Sequence, residues 1–204
     1  MIDFIRSITL LLVLLNPFLI IVYLIDIVKK KTSKEFSRIL IRAGIISFIV
    51  FSSFAILGDT IFRNVFNASL ASFQIFGGIV FLLTGIQFIF KGSASIESLR
   101  GESKHIAGAI AMPIFIGPGT ISYSILIGES LSKTNAILAI ASTILICVSI
   151  IMLLKKLHDK IHVKKEELIE QYIDIAGRVM ALLLGTVSVE LIMSGLNFWI
   201  NQKF

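Results

Sequence analysis

Apolar residues fall into six long blocks, at about residues 4–28, 39–57, 71–90, 106–127, 135–154 and 175–198, separated by short polar stretches. Each is close to the roughly 20 residues that a helix needs to cross a bilayer core. The pattern predicts an all-α membrane protein with six transmembrane helices in a single transmembrane domain, residues 1–204. The first block is too long for a signal peptide and no small-x-small cleavage site follows it. Thr32-Ser33-Lys34-Glu35 has capping-box spacing, so the second helix is expected to start before the membrane. Gly58-Asp59 is expected to close it. Thr84 and Gln87, three residues apart, share a face of the third helix and are expected to bond it to neighbours. The mixed Lys and Glu of residues 155–174 read as a solvated helical face.

Two of the blocks are interrupted. Asn16-Pro17 lies at the midpoint of the first: Asn is a favoured N-cap and Pro a favoured first helical residue, so a new helix can start there. The fourth block carries Pro113-Ile114-Phe115-Ile116-Gly117-Pro118-Gly119-Thr120 near its middle. Proline removes a backbone donor and glycine relaxes the backbone. Inside a membrane such a break is tolerated only where protein or a wet cavity satisfies the freed groups.

Composition agrees: 56% hydrophobic residues, 16% charged and a mean hydropathy of +0.94. The formal net charge of +6 would point to nucleic acid in a soluble protein. Here the basic residues sit between the blocks and report topology instead, so no nucleic-acid partner is expected. With alternate sides assigned through six spans, 15 Lys and Arg fall on one side and 4 on the other. The positive-inside rule then places both termini outside the cytoplasm. Cys147 is the only cysteine, which excludes an internal disulfide and a multi-cysteine metal site. No metal or other cofactor is expected.

The halves resemble each other. Gly77 and Gly85 match Gly177 and Gly185 at an offset of 100 residues, and Pro17 matches Pro118 at 101. Repeats at about 1–92 and 105–204, with three spans each, would be an inverted 3+3 repeat with helices 1 and 4 broken at the midplane, as in many secondary transporters. Half-helices starting at Pro17 and Pro118 would point their N-termini at the midplane from opposite faces. Their N–H donors and partial positive charge suit an anion such as a carboxylate. The expected substrate-binding residues are Asn16, Pro17, Gly117, Pro118, Gly119 and Thr120, with Gly119 leaving the N–H groups uncrowded. The sixth block holds Arg178, one turn after Asp174 and expected to pair with it, and Glu190 at greater depth. About 18 Å of helix separates Arg178 from Glu190, too far for a direct pair. An ionised carboxylate facing lipid there costs about 2.5 kcal/mol or more. Glu190 is therefore expected to face the interior or be protonated, either as a proton or cation coupling site or as a structural hydrogen-bonding group.

These residues, in this order, resemble the MarC family of bacterial and archaeal inner-membrane proteins: Asn-Pro in the first span, Gly58-Asp59-Thr60-Ile61, Ser72-Phe73-Gln74-Ile75 leading into Gly77-Gly78-Ile79, Pro113 followed by Gly117-Pro118-Gly119-Thr120-Ile121, and Arg178-Val179-Met180 ending in Gly195. The resemblance covers essentially the whole chain. It departs after Asn-Pro, where the family has a glycine two residues past the proline and a second proline three further on. This sequence has Leu19 and Val22, which implies a milder unwinding of the first span. The resemblance implies a multi-pass plasma-membrane protein and suggests small neutral amino acids, such as glycine or alanine, as substrates.

Two functions compete. The first is a secondary transporter for a small zwitterion. The alternative is a passive channel or facilitator for small polar solutes. Paired half-helices on an inverted repeat also resemble the aquaporin arrangement, but the second break lacks asparagine and the first continues to Phe18. An enzyme is not expected: His105, His158 and His162 fall in loops, and Ser122 and Ser124 have no base partner in the sequence. The expected partners are a small-molecule substrate and the lipid bilayer, with the oligomeric state left open.

Overall fold

The computed structural model describes residues 2–64, 69–91, 115–160 and 166–203. They form α1 (Ile2–Leu15), α2 (Pro17–Tyr23), α3 (Ile25–Lys30), α4 (Ser33–Asn64), α5 (Leu70–Lys91), α6 (Pro118–Ser130), α7 (Lys133–Lys160) and α8 (Glu166–Lys203). Five stretches among the described residues are long and apolar enough to cross a membrane: Ile2–Ile21, Ser33–Gly58, Ala71–Phe90, Lys133–Lys160 and Ile175–Ile200. The first of them runs through the break at Asn16. The fourth block of the sequence, with Pro113 and Ile114, lies largely outside the described residues. Its described part, α6, has 13 residues, which reach about 20 Å and do not cross a bilayer core alone. Among the described residues there are therefore five spans, and the sixth span that the 3+3 repeat requires falls largely on residues outside them.

The helix starts follow the local chemistry. Thr32 and Glu35 make the reciprocal capping box: the Thr32 N–H donates to the Glu35 carboxylate (3.1 Å) and the Glu35 N–H to the Thr32 hydroxyl (3.3 Å). Ser69 and Ser132 accept from the N–H groups of Ala71 and Asn135 at the starts of α5 and α7. Gly58 departs from expectation. It does not close α4, which continues to Asn64. A Cβ at Gly58 would lie 2.4 Å from Ile125 Cγ1, so this glycine admits α6 against the side of α4.

The first broken helix is the inner one. α1 packs on α6 and α7, α2 on α7 and α8, and α4 closes over α6 and α7. Leu11, Leu15, Ile20 and Ile21 share one core with Phe36, Leu40 and Phe51 of α4 and Ala139 and Ile140 of α7. Ile45, Ile49, Leu145, Leu153 and Leu182 face outward, as an apolar solvent allows.

α5 and α8 form a long antiparallel pair built on small residues. A Cβ at Gly78 would lie 2.8 Å from the Ser188 carbonyl, one at Gly85 3.1 Å from that of Ala181, and one at Gly195 2.9 Å from that of Ala71. Close backbone approach is the principal adhesive between membrane helices. Thr84 does not bridge helices as expected: its hydroxyl donates to Val80 in its own helix (2.8 Å), and Gln87 is exposed. Arg178 donates from Nη1 to the Ile89 carbonyl (3.1 Å), so it caps the end of α5. The Asp174 side chain, its expected partner, lies outside the described residues.

The stretch after residue 154 is not wholly a solvated face. Lys155 is buried, and its Nζ donates to the Val28 carbonyl in the last turn of α3 (2.5 Å) and to Asp159 (2.6 Å). The Ser33 hydroxyl donates to the other oxygen of Asp159 (2.5 Å). A lysine near a helix C-terminus satisfies orphan carbonyls and the local negative potential. Here it acts across helices and ties α3, α4 and α7 together at one end of the bundle.

Candidate functional site

Both proline pairs start helices, as their chemistry predicts. At the first break Asn16 has φ 45°, a left-handed conformation that asparagine tolerates better than other residues with a Cβ. Its Oδ1 accepts from the Leu19 N–H (3.0 Å), so Asn16 caps the helix that Pro17 opens. Asn16 is fully buried, and its Nδ2 has no hydrogen-bond partner among the described residues. A buried amide donor left unpaired costs about 1–3 kcal/mol. The break is short, because the Asn16 N–H still bonds Leu12 and the Asn16 carbonyl accepts from Ile20.

At the second break Gly117 is extended (φ −107°, ψ 166°) and α6 starts at Pro118. The Gly117 N–H donates to the Thr120 hydroxyl (2.9 Å), and that hydroxyl lies 3.0 Å from the carbonyls of both Phe115 and Gly117. This is half of a capping box, since glycine has no side chain to complete it. Pro118 has no N–H, so the first-turn donors that remain belong to Gly119 and Thr120, both buried.

The approach to Gly119 is not open as expected. A Cβ there would lie 2.1 Å from Cε2 of Phe81, whose ring covers the start of α6. On another side α5 comes close, with a Cβ at Gly77 placed 2.8 Å from the Gly119 N and Cα. Phe81 itself joins an apolar cluster with Leu14, Leu184, Leu191, Tyr123, Leu126 and Val187. Ser122 Oγ on α6, Gln74 Oε1 on α5 and Ser52 Oγ on α4 are also buried without partners among the described residues.

Glu190 lies elsewhere, exposed on α8 and lining a cavity of about 470 Å³. The cavity sits between the N-terminal half of α1, the C-terminal half of α6 and α8. Asp3, Arg6 and Ser7 line it from α1, Tyr123 and Ser130 from α6, and Ser194 from α8. Its walls share Tyr123, Leu126, Val187 and Leu191 with the cluster that holds Phe81. Glu190 thus lines a cavity whose wall is largely apolar but also carries Asp3, Arg6 and several hydroxyls. No hydrogen bond among the described residues joins Asn16, Glu190 and the Gly117–Thr120 turn to one another.

The sequence matches the model of the MarC family integral membrane proteins over residues 1–200. The chain belongs to the MarC family. This MarC protein is similar to a UPF0056 membrane protein of Aquifex aeolicus, 24% identical over 95% of this chain and 92% of the relative. It is also similar to one of Buchnera aphidicola subsp. Schizaphis graminum, 24% identical over 98% and 99%. A third relative is the UPF0056 membrane protein YvbG of Bacillus subtilis, 26% identical over 81% of this chain and 80% of YvbG. No solved structure matches the chain. It is an integral membrane protein of a family found in bacteria and archaea.

Sequence reasoning missed Phe81, Arg6, Asp3 and the unpaired Gln74. Phe81 is one of sixteen phenylalanines and carries no local signal, and Arg6 reads from sequence as a topology charge alone.

Proposed function

We propose that this MarC protein is a secondary transporter that moves a small neutral amino acid, glycine- or alanine-like, across the plasma membrane. The substrate carboxylate takes donors from the two breaks: Asn16 Nδ2 at the first and the Gly119 and Thr120 N–H groups at the second. Pro17, Gly117 and Pro118 shape these turns, and no covalent chemistry is done on the substrate. The observation that carries the reading is Asn16 Nδ2, a donor fully buried in an apolar bundle without a partner among the described residues, at a residue held left-handed. Such strain and such an orphan are retained where a ligand uses them.

Further support comes from the pairing of α5 with α8. Gly85 and Gly185 match at the 100-residue offset, and a Cβ on Gly85 would lie 3.5 Å from the Gly185 N. Helices related by an inverted repeat can cross antiparallel at a pseudo-two-fold axis, where only the residue on the axis meets its own counterpart. In this reading the described breaks belong to repeat-related first spans, and both termini lie outside the cytoplasm. Glu190 couples transport to a proton or cation.

The test is uptake of labelled glycine and alanine into proteoliposomes, with and without imposed proton and sodium gradients, for the parent and Asn16→Gly. Glycine tolerates the left-handed conformation and costs only a few tenths of a kcal/mol as a cap, so the fold survives. Losing one hydrogen bond to a charged group, worth about 1.5–3 kcal/mol, raises the half-saturating concentration roughly ten- to a hundredfold. Parent-like uptake by Asn16→Gly removes the amide from the site. Uptake indifferent to every gradient makes the protein a facilitator.

A further inference from the structure

The cavity beside α1 collects charge in a way that the breaks do not require. Arg6 reaches it from α1, Glu190 from α8, and Asp3 sits one turn before Arg6. All three side chains are exposed in the chain, yet among the described residues no ion pair joins Arg6 to either carboxylate. Tyr123 lies beside Ser7 and within electrostatic reach of Arg6, so a phenol and a guanidinium share one wall. Ser130, Thr186 and Ser194 supply hydroxyls around the remainder. Below them Leu126, Val187 and Leu191 make the floor, which is one side of the apolar cluster that includes Phe81.

A guanidinium and carboxylates facing one cavity without pairing are complementary to a ligand that carries both signs. An inorganic anion would be repelled by Glu190 and Asp3, and a simple cation would leave Arg6 unanswered. The volume, about 470 Å³, is within the roughly 300–1,000 Å³ of ligand pockets. A floor of leucine and valine lowers the local dielectric and strengthens each charge contact above it.

We infer that this cavity is a second binding site, selective for zwitterionic amino acids, with Arg6 holding the carboxylate and Glu190 the ammonium group. Asp3 adds negative potential at the rim. The site's role rests on the transport reading: it loads the substrate on one side of the Phe81 cluster, and the helix breaks receive it on the other. Its ligand selectivity rests only on the charges that line it. Glu190 thereby has two uses, since an ammonium group bound to it displaces the proton or cation it otherwise holds.

The experiment reads occupancy without flux. Ser194→Cys places a thiol in the cavity wall, and the native Cys147 is fully buried on α7, which keeps background labelling low. In purified protein the rate of modification by a thiosulfonate reagent is measured with glycine, alanine or serine, and with methylamine or acetate. The zwitterions are expected to slow labelling at concentrations where methylamine and acetate do not. Arg6→Gln and Glu190→Gln, both at exposed positions that the fold does not depend on, should each raise the half-protecting concentration tenfold or more. Absence of protection by any zwitterion overturns the inference. Equal protection by methylamine overturns it in favour of a cation site, and protection unchanged in both variants shows that these side chains are not the ligands. The two readings fail separately. Intact uptake without protection removes the cavity site alone, and intact protection without uptake removes the transport reading alone.

Discussion

The two broken helices restart by opposite means. At Asn16 one residue does the work: it takes the left-handed turn and its own side chain caps the next helix. The interruption is a notch, with the Asn16 N–H donating to the Leu12 carbonyl on one side and the Asn16 carbonyl accepting from the Ile20 N–H on the other. At Gly117 the backbone is extended, and the turn is held by Thr120 from inside and by Gly77 and Phe81 of α5 from outside, while α4 packs on the later turns of α6. The first break is a local device and the second a packed one. A local device fails when its side chain changes, whereas a packed one fails when its neighbours cannot approach.

The sharpest way to break that contrast is at the far end of α6. A Cβ at Gly128 would lie 1.8 Å from the Ala55 carbonyl oxygen and 2.6 Å from its carbon, atoms of a helix backbone that cannot step aside. Gly128→Val should destabilise the folded protein by about 3 kcal/mol, at the upper end of overpacking effects. It should appear as loss of monodisperse protein on size-exclusion chromatography in detergent. Gly185→Ala, with nothing within 4 Å of its Cβ, is the matched control and should elute like the parent. If both variants behave alike, α6 is not pinned by close approach to α4 and the contrast between the breaks collapses.

A smaller effect is expected at the inner cap. Thr120 is buried, and its hydroxyl is the acceptor for the Gly117 N–H. Thr120→Val keeps the shape and strands that donor, at a cost of about 1–3 kcal/mol. Thr120→Ser retains the oxygen and should stay within about 0.5 kcal/mol, as substitutions do where no polar group is orphaned. Thermal unfolding of the purified variants separates them: a valine variant as stable as the serine one would mean that packing alone holds the second break.

How much of this was legible in the sequence follows the same division. Asn16-Pro17, Thr32 with Glu35, and the start at Pro118 are local chemistry, and all were readable because the residues that act are adjacent in the chain. Gly58 was misread because its reason lies 67 positions away at Ile125, and a glycine that makes room looks in sequence like one that ends a helix. Lys155 was misread for a related reason. A lysine in a run of charges looks solvated, and nothing nearby says that the Val28 carbonyl will lie 2.5 Å from its Nζ. The cavity escaped because its charges come from residues 3, 6 and 190, each of which alone has an ordinary explanation. The proposed site residues divide likewise: their turns were foreseen, and the ring of Phe81 over Gly119 was not.

The smallest effect is expected at Gly117, and it bears most directly on what the second break is for. Its φ of −107° is one that any residue adopts, so no backbone reason requires glycine. Nor does packing: a Cβ there would meet Phe81 at 3.8 Å and the Thr120 hydroxyl at 4.0 Å, ordinary contacts. Gly119, two residues on, is the opposite case, with Phe81 at 2.1 Å. Gly117→Ala should therefore leave thermal stability within about 0.5 kcal/mol of the parent. If the space beside Gly117 is where a carboxylate comes to rest against α6, the same variant should lose uptake while keeping its fold, because the methyl group fills room that only the ligand uses. Stability and uptake measured on one preparation decide the point. A variant that is stable and transports like the parent leaves Gly117 outside the binding site, and the donors of Gly119 and Thr120 would then have to be reached from the side that Phe81 now covers.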